Sequence, residues 1–237
     1  MDGAQPVLPR SGRFNRAPLV QLLADGGHAQ ASPQPLSLAQ RFGPWLAWTD
    51  AIALSAVLAE GAASLPSAPA AGLTAAARQV IAEGQRLRHD LAQAIAQEPM
   101  FRNAASADAL ADAPANSDAP ALGADDLAAL RRQHRQHQQA MGDRIAPLRA
   151  RLRAVMAGVS PALGRLAALD TVLDPSLSAR QHQLLGAVPT WLARGAARQP
   201  AAAPAQVQAA LLAELDLRWQ PIAGLIGALH EAAGGQP

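Results

Sequence analysis

His134 and His137 stand three residues apart in the run Arg131-Arg132-Gln133-His134-Arg135-Gln136-His137. At that spacing one face of a helix can offer two imidazoles to a metal ion. A useful site needs a third ligand, commonly a carboxylate, and here the neighbours are arginine and glutamine, which repel a cation and lend it no anionic oxygen. The pair therefore reads as part of a helix face, with His134 and Gln138 on a heptad seam where polar residues set register. No metal site is expected. The same run, continued to Arg149, Arg151 and Arg153, offers a different chemistry. Arg131, Arg132, Arg135, Arg149, Arg151 and Arg153 could contact phosphates, which gives salt-sensitive binding without sequence preference. No aromatic side chains interleave with them to stack bases, and no nucleic-acid module accompanies them.

The third candidate is Trp45-Leu46-Ala47-Trp48-Thr49-Asp50-Ala51-Ile52. Trp45 and Trp48 share a helical face, and Asp50 sits in an apolar helix where an unpaired charge is costly. Either Asp50 accepts hydrogen bonds within the fold, or it receives a partner's arginine in an interface anchored by Trp45 and Trp48. Catalytic signatures are missing: there is no glycine-rich phosphate loop, no G-x-S-x-G elbow and no H-E-x-x-H. His89 and Asp90 are adjacent, and adjacent helix residues point apart. The expectation is a non-enzymatic protein with no catalytic residue and no cofactor.

The elements that must position these groups follow from composition and spacing. In 237 residues there are 59 alanines and 33 leucines, no cysteine and no tyrosine, and all 20 basic side chains are arginine. Without cysteine there is no disulfide, thiolate zinc site or cysteine nucleophile. The net charge is only +2, although the pI is about 10.7, because arginine does not titrate where lysine would. Charge is segregated: residues 98–126 hold six acids against Arg102, and residues 131–165 hold eight arginines against Asp143. No stretch reaches the roughly 18 unbroken apolar residues of a membrane span, and the first residues lack the pattern of a secretory signal.

Helical periodicity dominates the chain. The stripe Val80, Gly84, Leu87, Leu91 with Ala94 or Ile95 predicts a helix over 73–97. Met141, Ile145, Leu148, Leu152 and Val155 form a heptad seam in a helix over 124–157, crossing Pro147 with a kink. Leu212, Leu215, Trp219, Ile222, Ile226 and Leu229 form another over 206–233, crossing Pro221. Ser160-Pro161 is a helix start that Asp174-Pro175 should end, and Ser178-Ala179-Arg180-Gln181 has the capping-box spacing for a new helix through Leu192, with Pro189 able to divide it. Pro18–Ala24 could make two helical turns, and Trp45–Ala59 reads as a buried core helix. No segment alternates with period two, so no strand is expected. The fold class is all-α: a multi-helix bundle with heptad-like stripes and Pro/Ala-rich linkers. A disordered arm spans 1–16, an N-terminal helical region 17–98, an acidic low-complexity loop 99–123, and a C-terminal helical region 124–233 that packs on the first as one composite domain. The stripes should close within the chain, with a homodimer seam as a further use.

The segment Trp45–Leu58, with the pattern W-x-x-W-T-D-A-I-x-L-S-A-x-L, resembles an uncharacterised family of proteobacterial proteins of about this length. Leu38–Phe42, Pro18–Leu23 and the arginine-bearing helix after residue 73 fit the same likeness. The resemblance carries no functional residues. It implies a genetic neighbourhood of proteins similar to proton-channel subunits of the flagellar-motor type and OmpA-like envelope proteins. The leading expectation is a cytoplasmic, helical adaptor or accessory subunit that docks another protein, such as a subunit of an inner-membrane complex, through Trp45, Trp48 and Asp50 or an exposed stripe. The competing expectation is a nucleic-acid-associated protein using the arginine-rich helix 131–153.

Overall fold

The computed structural model describes residues 19, 22, 48–61, 73–101, 123–196, 198–200 and 202–233. Among these residues there are six helices and no strand: α1 (Trp48–Gly61), α2 (Ala75–Ala96), α3 (Ala124–Val159), α4 (Pro161–Leu185), α5 (Val188–Ala196) and α6 (Ala203–Ala232). The chain is an all-α, multi-helix protein. The arm assigned to 1–16, together with Trp45 and most of the acidic loop, lies outside the described residues.

Helix ends form where the local chemistry supplies partners for unpaired backbone groups. Thr74 accepts the Ala77 N–H at 3.1 Å ahead of α2, and Ser160 accepts the Leu163 N–H at 3.2 Å ahead of α4 with Pro161 in its first turn. At α3 the Gly123 N–H donates to Asp126 at 3.1 Å.

The three stripes meet one another. α2, α3 and α6 pack pairwise, and α3 also carries α4 and α5 on its other sides. Val80, Leu91 and Ile95 from α2, Met141, Leu148 and Leu152 from α3, and Trp219, Ile222 and Leu229 from α6 share one buried core. Leu19 reaches the same core in helical conformation, as the segment Pro18–Ala24 suggests. Gly84 lies where the three helices meet, with Leu148, Trp219 and Ile226 around it.

Four expectations change. α4 runs unbroken through Asp174-Pro175, and Ser178 does not cap a new helix; its hydroxyl donates to Asp174 at 2.7 Å. The tertiary grip on both sides of the proline, described below, outweighs the lost backbone bond. Pro189 sits at the start of the separate helix α5, where a missing N–H costs nothing. The acidic loop does not begin at Pro99: residues 99–101 form a helical turn and Phe101 is buried. Finally, the apolar helix α1 is not central. It packs on α4 without comparable contact to any other described helix, leaving Ile52 and Leu58 each 56% exposed.

Candidate functional site

Two histidines three apart on α3 turn to different partners. His134, 1% exposed, meets Glu214 of α6 through Nε2 and Oε1 at 2.7 Å. The other carboxylate oxygen accepts from the Gln138 amide at 2.8 Å, and that amide also donates to the Leu185 carbonyl at 2.9 Å. Both oxygens of a fully buried carboxylate are thereby satisfied, as burial requires. His137 instead lies 3.3 Å from Glu98, which also accepts from Gln133 at 2.5 Å, and its ring rests against Phe101 with centroids 6.1 Å apart. The metal-like spacing thus serves two separate helix contacts, and no group of three metal-ligating side chains occurs among the described residues.

The six arginines also divide. Arg149, buried in α3, forms a two-pronged pair with Asp170 of α4, Nε to Oδ2 at 2.8 Å and Nη2 to Oδ1 at 2.5 Å, and its third nitrogen reaches Asp174. Arg153, one turn on, grips the same two aspartates. Burial pushes the Asp174 carboxyl upward, but the Ser178 hydroxyl, Arg153 and Arg149 outweigh it and hold the group below its ordinary 3.8. Desolvation likewise opposes the Arg153 charge, and its bonds to Asp174 and Asp170 still raise it. Arg151 pairs with Glu83 of α2. Only Arg131, Arg132 and Arg135 have no carboxylate in ion-pair range among the described residues. Phosphate would have to displace carboxylates from the other three.

At α1, Asp50 is half-buried and accepts the Ser176 hydroxyl of α4 at 2.5 Å. This is the internal hydrogen-bonding option for Asp50, and it pins α1 to α4. Trp48 opens α1. Residues 50, 53, 54 and 57 form the half-buried side, while 51, 52, 55, 56, 58 and 59 are exposed.

One feature lies beyond the residues singled out by spacing. Between α3, α4 and α6 runs a cleft of two adjoining chambers, about 360 and 420 Å3, which share Gly142, His182 and Arg218. Arg218 lines both chambers, and Glu214, one turn earlier on α6, is buried against His134 and Gln138. Glu214 is legible in principle, as the single acid in the apolar run Ala209–Leu215, whereas Arg218 looks like any surface cation.

Among the described residues, no helix is long and apolar enough to cross a membrane. No curated protein and no solved structure matches the chain. Residues 6–205, most of its length, match the family described as a protein of unknown function (DUF3348). The packed helices α1 to α5 lie inside that span, and the chain belongs to the DUF3348 family.

Proposed function

We propose that this protein is a helical adaptor whose α1–α4 layer docks an uncharged, apolar helix of another protein. The observation that carries the reading is α1 itself. No charged residue lies between Asp50 and Glu60, and a helix apolar all round is ordinarily buried all round. Here, among the described residues, only one side is covered. Ile52 and Leu58 project from the other, with Ala51, Ser55, Ala56 and Ala59 between them, small enough for a second helix to lie close. A charge pressed onto that face would lose water and find no counter-ion, so the face selects an apolar occupant. Asp50 acts from within, holding α1 to α4 through Ser176. The family resemblance favours an occupant in a complex at the cytoplasmic side of the bacterial inner membrane.

The test is a double substitution, Ile52→Asp with Leu58→Asp, in tagged full-length protein isolated from its native cell after nuclease treatment. A partner retained by the parent and by an Arg132→Gln control, lost from the double variant at unchanged melting temperature, supports the proposal. Its apolar helix, made as a peptide, should bind the parent, with each aspartate costing about 2 kcal/mol or more. A partner indifferent to both substitutions overturns it, as does finding that a second copy of the chain occupies the face. Nucleic acid that is bound at low salt and released at moderate salt would instead favour Arg131, Arg132 and Arg135.

A further inference from the structure

Arg218 is a half-buried cation with no direct ion pair among the described residues. Its Nε is shielded from solvent and has no acceptor, and no carboxylate lies within ion-pair distance among the described residues. Glu214, one turn earlier, is the charge that pulls on it, yet both Glu214 oxygens are engaged by His134 and Gln138. Burial consequently lowers the Arg218 pKa despite Glu214. The contrast with Arg149 and Arg153, each gripped by two aspartates, is sharp. A guanidinium partly withdrawn from water is stabilised when something anionic meets it, and its fork matches the oxygens of a phosphate or carboxylate.

The space around Arg218 has the size and lining of a ligand site. The more polar chamber is walled by Arg135, Gln139, Asp143 and His182; the other by Met141, Ile145, Pro175 and Pro221. Volumes near 400 Å3 are within the range of small-molecule sites, and here one mainly apolar chamber adjoins one lined by polar side chains. Two internal prolines line it. Pro175 and Pro221 each lack the N–H that would tie down the preceding turn, and each ring crowds that turn. A Cβ on Gly142, on the shared wall, would meet no atom within 4 Å. With Arg149 and Asp174 neutralising each other, Arg135 and Arg218 outnumber the exposed Asp143, and the cleft is net positive.

We propose that this cleft binds a small organic oxyanion. Arg218 and Arg135 hold its phosphate or carboxylate, and Met141, Ile145 and Pro221 cover its apolar body. The site is separate from the α1 face and stands or falls independently of it.

Calorimetric titration of the full chain with phenyl phosphate, benzoate and inorganic phosphate tests this. Saturable binding of phenyl phosphate or benzoate is expected, and whichever is tighter identifies the headgroup. Inorganic phosphate, which lacks the apolar body, should bind at least tenfold more weakly than phenyl phosphate. Arg218→Met should weaken binding at least tenfold, while Arg132→Gln, outside the cleft, leaves it unchanged. Should Arg218→Met fail to fold by circular dichroism, Arg135→Gln, an exposed position, provides the same comparison. No saturable binding of either organic anion at millimolar concentration overturns the proposal, as does undiminished affinity in a folded Arg218→Met or Arg135→Gln variant.

Discussion

Arg149 and Asp170 face each other fork to fork across the α3–α4 contact, 2.8 and 2.5 Å apart along their two bonds, with both side chains largely removed from water. Because Arg153 and Asp174 complete a four-member group, each charge has two opposite neighbours. Such a group is worth more than isolated surface pairs, which contribute little. The tie also accounts for the passage of α4 through Pro175: residues 170 and 174 are held from α3 whatever the backbone lacks.

Asp170→Asn is expected to destabilise the fold by about 3 kcal/mol, the low end for breaking a buried pair, since Asp174 still faces both arginines. Urea unfolding checks this. A loss below about 0.5 kcal/mol would place the group among ordinary surface pairs.

Asp174 gives the fold an acid limit. Its folded-state pKa lies below the ordinary 3.8, so its contribution is complete at neutral pH. It disappears as pH falls through that value towards the lower folded one. The urea midpoint of the parent should drop between about pH 5 and pH 2 more steeply than that of Asp174→Asn. Parallel curves would assign the acid sensitivity to other carboxylates.

Glu214→Ala should cost about 3–5 kcal/mol, because it strands the buried His134 and leaves Gln138 only its bond to the Leu185 carbonyl. Replacing the pair together, His134→Leu with Glu214→Leu, should recover most of that loss. A double variant as unstable as the single one would show that packing, and not the stranded polar groups, sets the cost.

Gly84→Ala is expected to stabilise. The added Cβ would lie 3.6 Å from Leu148 and Ile226 and 3.8 Å from Trp219, ordinary contact distances. The gain in helix propensity is about 0.8–1 kcal/mol, or roughly 2–4 °C in melting temperature for a chain of this size. Gly84→Leu should reverse the sign through overpacking, costing about 1–3 kcal/mol. A lower melting temperature for the alanine variant would mean that contact of the new methyl with Leu148, Ile226 and Trp219 outweighs the gain in helix propensity.

The helices were legible wherever one physical rule acted locally. Val80 to Ile95 and Met141 to Leu152 repeat at helical spacing, and Ser160-Pro161 starts α4 by its own hydroxyl and ring. Rules failed where a distant group decided. The proline rule at Pro175 is correct in isolation and is overridden by arginines more than twenty residues away. The apolar run of α1 foretold burial but not which of its sides α4 would cover. Of the residues weighed for chemistry, His134 was placed on the seam by spacing, whereas its partner 80 residues later was not. Arg218 gave no signal, since isolation of a charge is a property of three-dimensional neighbours.

The two polar groupings sit at different heights on α3, from His134 to Arg149, roughly 22 Å apart along its axis. In a chain with 59 alanines among 237 residues, apolar helix faces are nearly interchangeable, and many alignments of α3 with α6 would fill space about equally well. A slide of α6 by one turn, about 5.4 Å, is not neutral. It would bring His134 opposite Ala210 or Arg218 in place of Glu214, deserting one buried ion or confronting imidazole with guanidinium. Leucine and alanine supply the adhesion, and these few charges do the counting.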